Sequence, residues 1–341
     1  MLSFQEPFIT ERADPYVVKG PDGVYYFTAS YPMRSQNDPE GYDRIVMRRA
    51  DTIAGLKNAQ ECTVWRVDAG TKTHRFIWAP ELHFISGCWY IFYAGSKSAD
   101  SRWDIDCHVL RCRSVNPCEE EWEELGKFQT LPEDRFSFSG FSLDMTYFEV
   151  ADKSYCIWAQ HNEEKISCLY IGEVSRTEPW KLISMPTLLS KPEYPWEKVR
   201  FAVNEGPAVL KHENRIFVFF SASGTGPEYC IGMLEYVGDG SLLDSTSWMK
   251  YDSPILRSED LQEEYGPGHN SFVKDEQGND WIIYHARSKD CFLGQCDYAG
   301  NDPLYDPCRH ARARRITWMD DGKPVIGDGN TVEITGPYEE N

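Results

Sequence analysis

Three carboxylates and an imidazole stand at matching places in a chain of 341 residues. Asp14 opens DPYVV, Asp144 opens DMTYF, Glu205 opens EGPAV and His269 opens HNSFV, each followed after a turn by an aromatic run such as VYYFTAS or RIFVFFSAS. Strand interiors disfavour Asp and Glu, and a buried charge without a partner is costly, so acids at these places need a reason. If the fold brings them to one axis, they oppose one another's ionisation and at least one holds a proton near neutrality. A proton donor then stands beside a proton acceptor. Glycosidic bond cleavage uses such a pair: one carboxylic acid protonates the leaving oxygen while a carboxylate activates water, at a separation of roughly 6.5–9.5 Å, or itself attacks the anomeric carbon at roughly 5–5.5 Å.

An internal repeat supplies the common axis. The heads of the repeated hairpins fall at positions 14, 79, 144, 205 and 269, in steps of 65, 65, 61 and 64 residues. Further candidate strands follow within the units, including RIVMRRA, HVLRCRS, CLYIGEV and YCIGMLEYV, and turn residues such as PDG at 21–23 and EQGN at 276–279 separate the hairpin strands. Long helical periodicity is missing. Repeated four-stranded sheets bury their faces by packing radially, so the spacing predicts an all-β five-bladed β-propeller with four antiparallel strands per blade, as one domain over residues 1–341. A β-sandwich has no need of a period near 65 residues. The first strand of each blade lines the central channel, which aims Asp14, Asp144, Glu205 and His269 at one space; blade two has Ala79 there, flanked by Trp78, Pro80 and Glu81. Pro15 is tolerated because a strand's first residues can do without a ladder donor.

The formal charge of −19, from 54 acids against 35 bases, opposes binding to nucleic acid or anionic membranes and favours a neutral or cationic ligand. No stretch reaches 18 apolar residues, and MLSFQEPFIT has neither a basic nor an apolar leader segment. Eleven cysteines, an odd number set largely in strand-like runs, suit small buried hydrophobes in a reducing compartment. Together these lead to the expectation of a cytoplasmic protein, with a homo-oligomer allowed. CHVLRC followed by Cys118, and CFLGQC followed by Cys308, have C-x4-C spacing without a second matched pair. Loop cysteines of that kind need not meet, so zinc is set aside. GTGPE and GDGSLLDS lack the lysine of a phosphate loop and are read as turns.

ADPYV at 13–17, WAPEL at 78–82, SLDMTYF at 142–148, NEGPAV at 204–209 and GPGHNSF at 266–272 together resemble glycoside hydrolase family 43. Its members are five-bladed propellers acting on arabinose- and xylose-containing polysaccharides of hemicellulose. The resemblance implies an inverting hydrolase with Asp14 as general base, Glu205 as general acid and Asp144 orienting Glu205 and raising its pKa. It also implies Trp78 as the aromatic of the sugar subsite and Arg309, counted back from Trp318, as the arginine on the terminal sugar. Arg314 stands where the family more often has Gln, and Arg287 is the competing arginine. His269 would be the protein ligand of a channel calcium ion whose shell is completed by water. The expected activity is exo-acting release of arabinofuranose, with or without xylose, from short arabinoxylan or arabinan oligosaccharides, in a pocket that the segment 31–44 could wall off. A non-catalytic sugar-binding propeller and a furanosidase acting on fructans are the rival readings.

Overall fold

A computed structural model describes residues 6–35, 38–119 and 121–327. The expected single domain also takes in residues 1–5 and 328–341, which lie outside the described residues. Among the described residues, twenty strands form five four-stranded antiparallel sheets, each in sequence order. Blade one has β1 (Ala13–Lys19), β2 (Tyr25–Ser30), β3 (Arg44–Ala50) and β4 (Cys62–Arg66); blade two has β5 (Arg75–Ile85), β6 (Cys88–Ser96), β7 (Ile105–Cys112) and β8 (Glu123–Lys127). Blade three has β9 (Ser142–Val150), β10 (Lys153–His161), β11 (Ser167–Val174) and β12 (Thr187–Ser190). Blade four has β13 (Asn204–His212), β14 (Arg215–Ala222), β15 (Cys230–Tyr236) and β16 (Trp248–Lys250). Blade five has β17 (Glu264–Lys274), β18 (Asp280–Ser288), β19 (His310–Trp318) and β20 (Pro324–Gly327).

Each first strand lies beside those of both neighbouring blades, β1 next to β5 and β17, and so around the ring. Apolar layers fill the spaces between blades. Tyr26, Ile77 and Trp89 join blades one and two; Phe92, Val109, Met145 and Trp158 join two and three. Ile157, Leu169, Val218 and Phe220 join three and four; Phe217, Phe219, Ile282 and Tyr284 join four and five. Full burial of each such side chain contributes about 1.5–3 kcal/mol, which is why the inner strands read as nearly continuous apolar runs. Closure between blades five and one has an added latch. Phe8 N donates to Ala311 O at 2.8 Å and Ala311 N to Ile9 O at 2.9 Å, on the part of β19 that β20 does not cover.

The register of the inner hairpins locates the candidate site. Ala13, Trp78, Leu143, Glu205 and Gly268 pair with Ser30, Ala94, Ala159, Ser221 and His285, and after each of these pairs the first strand carries an extra residue. That next residue has left-handed backbone in every blade: φ is 54° at Asp14, 46° at Ala79, 56° at Asp144, 53° at Gly206 and 43° at His269. Ala79 is therefore the true counterpart of Asp14, Asp144 and His269. Glu205 is not, since it sits one residue earlier, at the position of Trp78, and Gly206 takes the bulge. A left-handed non-glycine residue costs roughly 1–2 kcal/mol, and four blades carry that strain around the channel. Bulge N–H groups are met by the preceding blade: Ala79 N donates to Ser30 Oγ at 2.9 Å, His269 N to Ser221 Oγ at 2.7 Å, Gly206 N to Asp144 Oδ2 at 2.9 Å and Asp14 N to His285 Nδ1 at 3.2 Å.

Candidate active site

At one end of the channel a cavity of about 220 Å³ is lined by Asp14, Asp144, Glu205 and His269, four residues drawn from four blades. Its volume falls below the ~300–1,000 Å³ of sites for drug-sized ligands and suits a single small ring. The four residues predicted from the repeat are thus brought together, with Trp78 and Arg309 on the same wall.

Asp14 is buried, and Ser30 Oγ donates to its Oδ2 at 2.5 Å. Oδ1 faces His269 Nδ1 and His285 Nδ1, each at 3.4 Å, and an Arg309 guanidinium nitrogen at 3.5 Å. Burial alone would raise this carboxyl, but attraction to His269, Arg309 and His285 outweighs it and holds Asp14 well below the usual carboxylate range. Burial pushes His285 down to about 3 and His269 below its ordinary value, so the lasting cation beside Asp14 at neutral pH is Arg309.

Glu205 and Asp144 have the opposite surroundings. Burial, then repulsion from Asp14, pushes Glu205 up to about 7, against the lowering effect of the Tyr229 hydroxyl, which donates to Oε1 at 2.8 Å. Asp144 is raised well above its ordinary value by burial first, then by Glu205 and Asp14. Its Oδ2 accepts the N–H of Gly206, so it grips the residue that follows Glu205. A side chain at Gly206 would come within 3.2 Å of the His269 ring and of Ser221 Oγ, closing the space between these groups.

Trp78 is half-buried, with Tyr42 and Phe76 packed edge-on at ring separations of 5.8 and 5.9 Å. Arg309 donates to Tyr42 Oη at 3.0 Å, while its Nε is buried without a partner beside the cavity. The competing arginine is excluded from the pocket: Arg287 donates to Asp306 Oδ2 at 2.6 Å and to the carbonyls of Thr225 and Pro303. Arg314 bonds Tyr284 Oη and Glu264. Among the described residues of segment 31–44, none lines the cavity; Tyr42 braces Arg309 from beneath, and Arg102, Trp103, Phe141, Arg200, Phe201 and Leu304 form the walls. Tyr229, Ser30, Ser221 and His285 were not singled out from the sequence. Three of them occupy one register position in the second strands YYFTAS, RIFVFFSA and DWIIYHARS, opposite Ala13, Glu205 and Gly268, so aligning those strands would have found them. Tyr229 also stacks on His285 with ring centroids 5.6 Å apart, over Gly268, where a Cβ would lie 2.0 Å from the tyrosine ring.

For a channel metal, His269 offers one imidazole nitrogen, 3.4 Å from Asp14 Oδ1 and 3.8 Å from Asp144 Oδ2. Among the described residues, no trio of channel side chains has its ligand atoms within 4.8 Å of one another. Next to His269 in β17, both amide atoms of Asn270 are buried without partners. Such a donor set fits an oxygen-seeking ion held mostly through water.

The chain is 40% identical over 329 residues to an extracellular exo-α-(1→5)-L-arabinofuranosidase of Streptomyces avermitilis, and 39% identical over 330 residues to α-L-arabinofuranosidase 43 of Humicola insolens. Each alignment covers 96% of this chain and 63% of the relative, so the chain spans about three-fifths of the length of these proteins. A crystal structure of an α-L-arabinofuranosidase from Lactobacillus brevis superposes with a TM-score of 0.82 at 41% identity, covering 94% of this chain and 95% of that one. The expectation of a cytoplasmic protein is corrected by these relatives, since those from Streptomyces avermitilis and Streptomyces chartreusis are described as extracellular. Buried thiols had suggested a reducing compartment, yet a cysteine packed as a small hydrophobe is inert in either setting. With five blades in register, the acids gathered at one mouth and the profile of glycosyl hydrolases family 43 matching residues 4–324, the chain belongs to that family.

Proposed function

We propose that the chain is an inverting, exo-acting glycoside hydrolase that releases terminal arabinofuranose, and xylose where it fits, from arabinoxylan- or arabinan-derived oligosaccharides. One observation carries the reading: a single cavity holds a carboxyl kept ionised, Asp14, and another kept near pH 7, Glu205. Asp14 takes a proton from the attacking water, and Glu205 gives its proton to the leaving glycosidic oxygen, each from the charge state its surroundings favour. Asp144 holds the backbone after Glu205 and shares in the crowding that keeps a proton in the pair. Trp78 offers a flat apolar face to the sugar ring, and the unpartnered Arg309 Nε–H is a donor for a sugar hydroxyl. The small cavity supports taking one terminal sugar rather than the interior of a chain.

His269 would hold a calcium ion through its imidazole with waters completing the shell; bound there, the ion would lend positive charge to the floor of the site. Removal with EGTA is expected to lower both activity and melting temperature, and no change in either would remove the ion from this account.

The deciding experiment follows hydrolysis of an aryl α-L-arabinofuranoside by proton NMR from the first turnover. The first-formed sugar is expected to have inverted configuration, and Glu205→Gln to lose nearly all turnover of an arabino-oligosaccharide, whose leaving alcohol needs a proton. A retained anomer would refute the mechanism. No hydrolysis of any aryl pentoside by the wild type, with saturable arabinose binding, would favour the sugar-binding reading instead.

A further inference from the structure

The connection from β18 to β19, residues 289–309, is longer than any other link between the strands. It brings Asp302, Leu304 and Arg309 to the cavity, yet contains only α2 (Lys289–Phe292) and a 3-10 turn at Pro303–Tyr305. Its large apolar residues Phe292 and Leu293 are exposed, and Phe292 packs as a stack on Tyr265 with ring centroids 4.0 Å apart.

Three sulfurs meet there. The Sγ atoms of Cys291, Cys296 and Cys308 all lie within 4.8 Å of one another, which overturns the expectation that these loop cysteines need not converge. The spacing is C-x4-C-x11-C. Asp306 lies beside the group: its Oδ2 is 3.3 Å from Cys291 Sγ and its Oδ1 accepts the Cys308 N–H at 2.8 Å, but its oxygens are not within 4.8 Å of all three sulfurs. Arg287 holds the same carboxylate. Thiolates bound to zinc at about 2.3 Å in a tetrahedron stand roughly 3.7 Å apart, within the observed limit. Three thiols cannot all pair off as disulfides, whereas a soft-ligand ion uses every one of them.

We propose that Cys291, Cys296 and Cys308, with a water as fourth ligand, bind a zinc ion that fastens the β18–β19 connection and so holds one wall of the sugar cavity. Binding turns three thiols into thiolates and releases their protons to solvent, with no change of oxidation state. None of the three cysteines lines the cavity, so the ion is structural and takes no part in the hydrolysis. Arg287 relays its effect to the pocket, since the guanidinium that holds Asp306 also bonds the carbonyls of Thr225 and Pro303, next to cavity-lining residues.

The test begins with the wild-type protein purified without chelators from zinc-supplemented medium, with metal measured by mass spectrometry. About one zinc per chain is expected, lost in Cys296→Ser and kept in Cys118→Ser. Exchange of the ion for Co²⁺ should give the near-ultraviolet thiolate-to-cobalt band and the intense visible bands of a tetrahedral site. Stripping with a zinc-selective chelator should raise the KM for an aryl arabinofuranoside several-fold while changing kcat less than twofold. That last readout rests on the proposed hydrolase activity, whereas metal content and the cobalt spectrum do not, so the two readings can fail separately. Zinc well below one equivalent together with no cobalt spectrum would overturn the site. A Cys291–Cys308 disulfide in freshly purified protein, found by peptide mapping without reductant, would also overturn it. Zinc that is bound but can be removed with no change in KM would overturn its role in holding the wall.

Discussion

Blade one and blade four present acids to the same cavity from opposite sides, and the two sides charge them differently. Asp14 on blade one looks across at blade five, where His269, His285 and Arg309 favour its ionised form. Glu205 on blade four has a tyrosine hydroxyl and another acid beside it, and its proton stays until about pH 7. Equivalent hairpins therefore yield an acceptor and a donor: blade five supplies the groups that ionise Asp14, whereas burial and repulsion from Asp14 keep the proton on Glu205. The identity of the acid matters less than the charges set around it.

Removing either acid breaks the comparison outright. Asp14→Asn and Glu205→Gln are each expected to lower kcat about 10²–10⁴-fold, the range for a lost general base or acid. Azide should restore turnover only to the Asp14 variant on substrates whose leaving group needs no protonation, and equal rescue of both would show that the roles are not divided. Replacing the lasting cation comes next. Arg309→Met should lower kcat/KM about 10–150-fold, since a hydrogen bond to a charged group is worth ~1.5–3 kcal/mol. An Arg309 nitrogen lies 3.5 Å from Asp14 Oδ1 and lowers that carboxyl, so the acidic limb of the pH–rate profile should rise. An acidic limb that does not move would sever Arg309 from Asp14.

The repeat made the blade count, the four head residues and their common axis legible, because the period of the aromatic hairpins is written directly in the residues. Hidden from it was the extra residue in each inner strand. A left-handed bulge is a backbone state that Asp14, Ala79 and His269 adopt with no shared side-chain signature, so Glu205 looked equivalent to Asp144 although it is displaced by one position. Arg309 could be preferred to Arg287 only through the family resemblance, for a related reason. Their separation depends on how residues 289–309 fold back, and the same fold brings together cysteines that looked unrelated.

Smaller changes sharpen the contrast. Asp144→Asn keeps an oxygen for the Gly206 N–H but removes a carboxyl that Glu205 repels, so the alkaline limb should move to lower pH. If that limb stays in place, Asp144 is neutral throughout the working range and acts through orientation alone. Tyr229→Phe should act in the reverse direction and least of all. Losing a donor that favours ionised Glu205 should lift the alkaline limb by about half to one pH unit, as expected for a net ~1 kcal/mol hydrogen bond. A downward shift would show that the hydroxyl bonds the protonated form.

The latch formed by Phe8 and Ile9 makes the boundary between blades five and one the seam of a closed ring. Asp14 lies on one lip of that seam, while His269, His285 and Arg309 lie on the other. The proposed proton acceptor is therefore also a rivet, and acid strong enough to protonate it would loosen the mechanical join of the toroid as well as stop the chemistry.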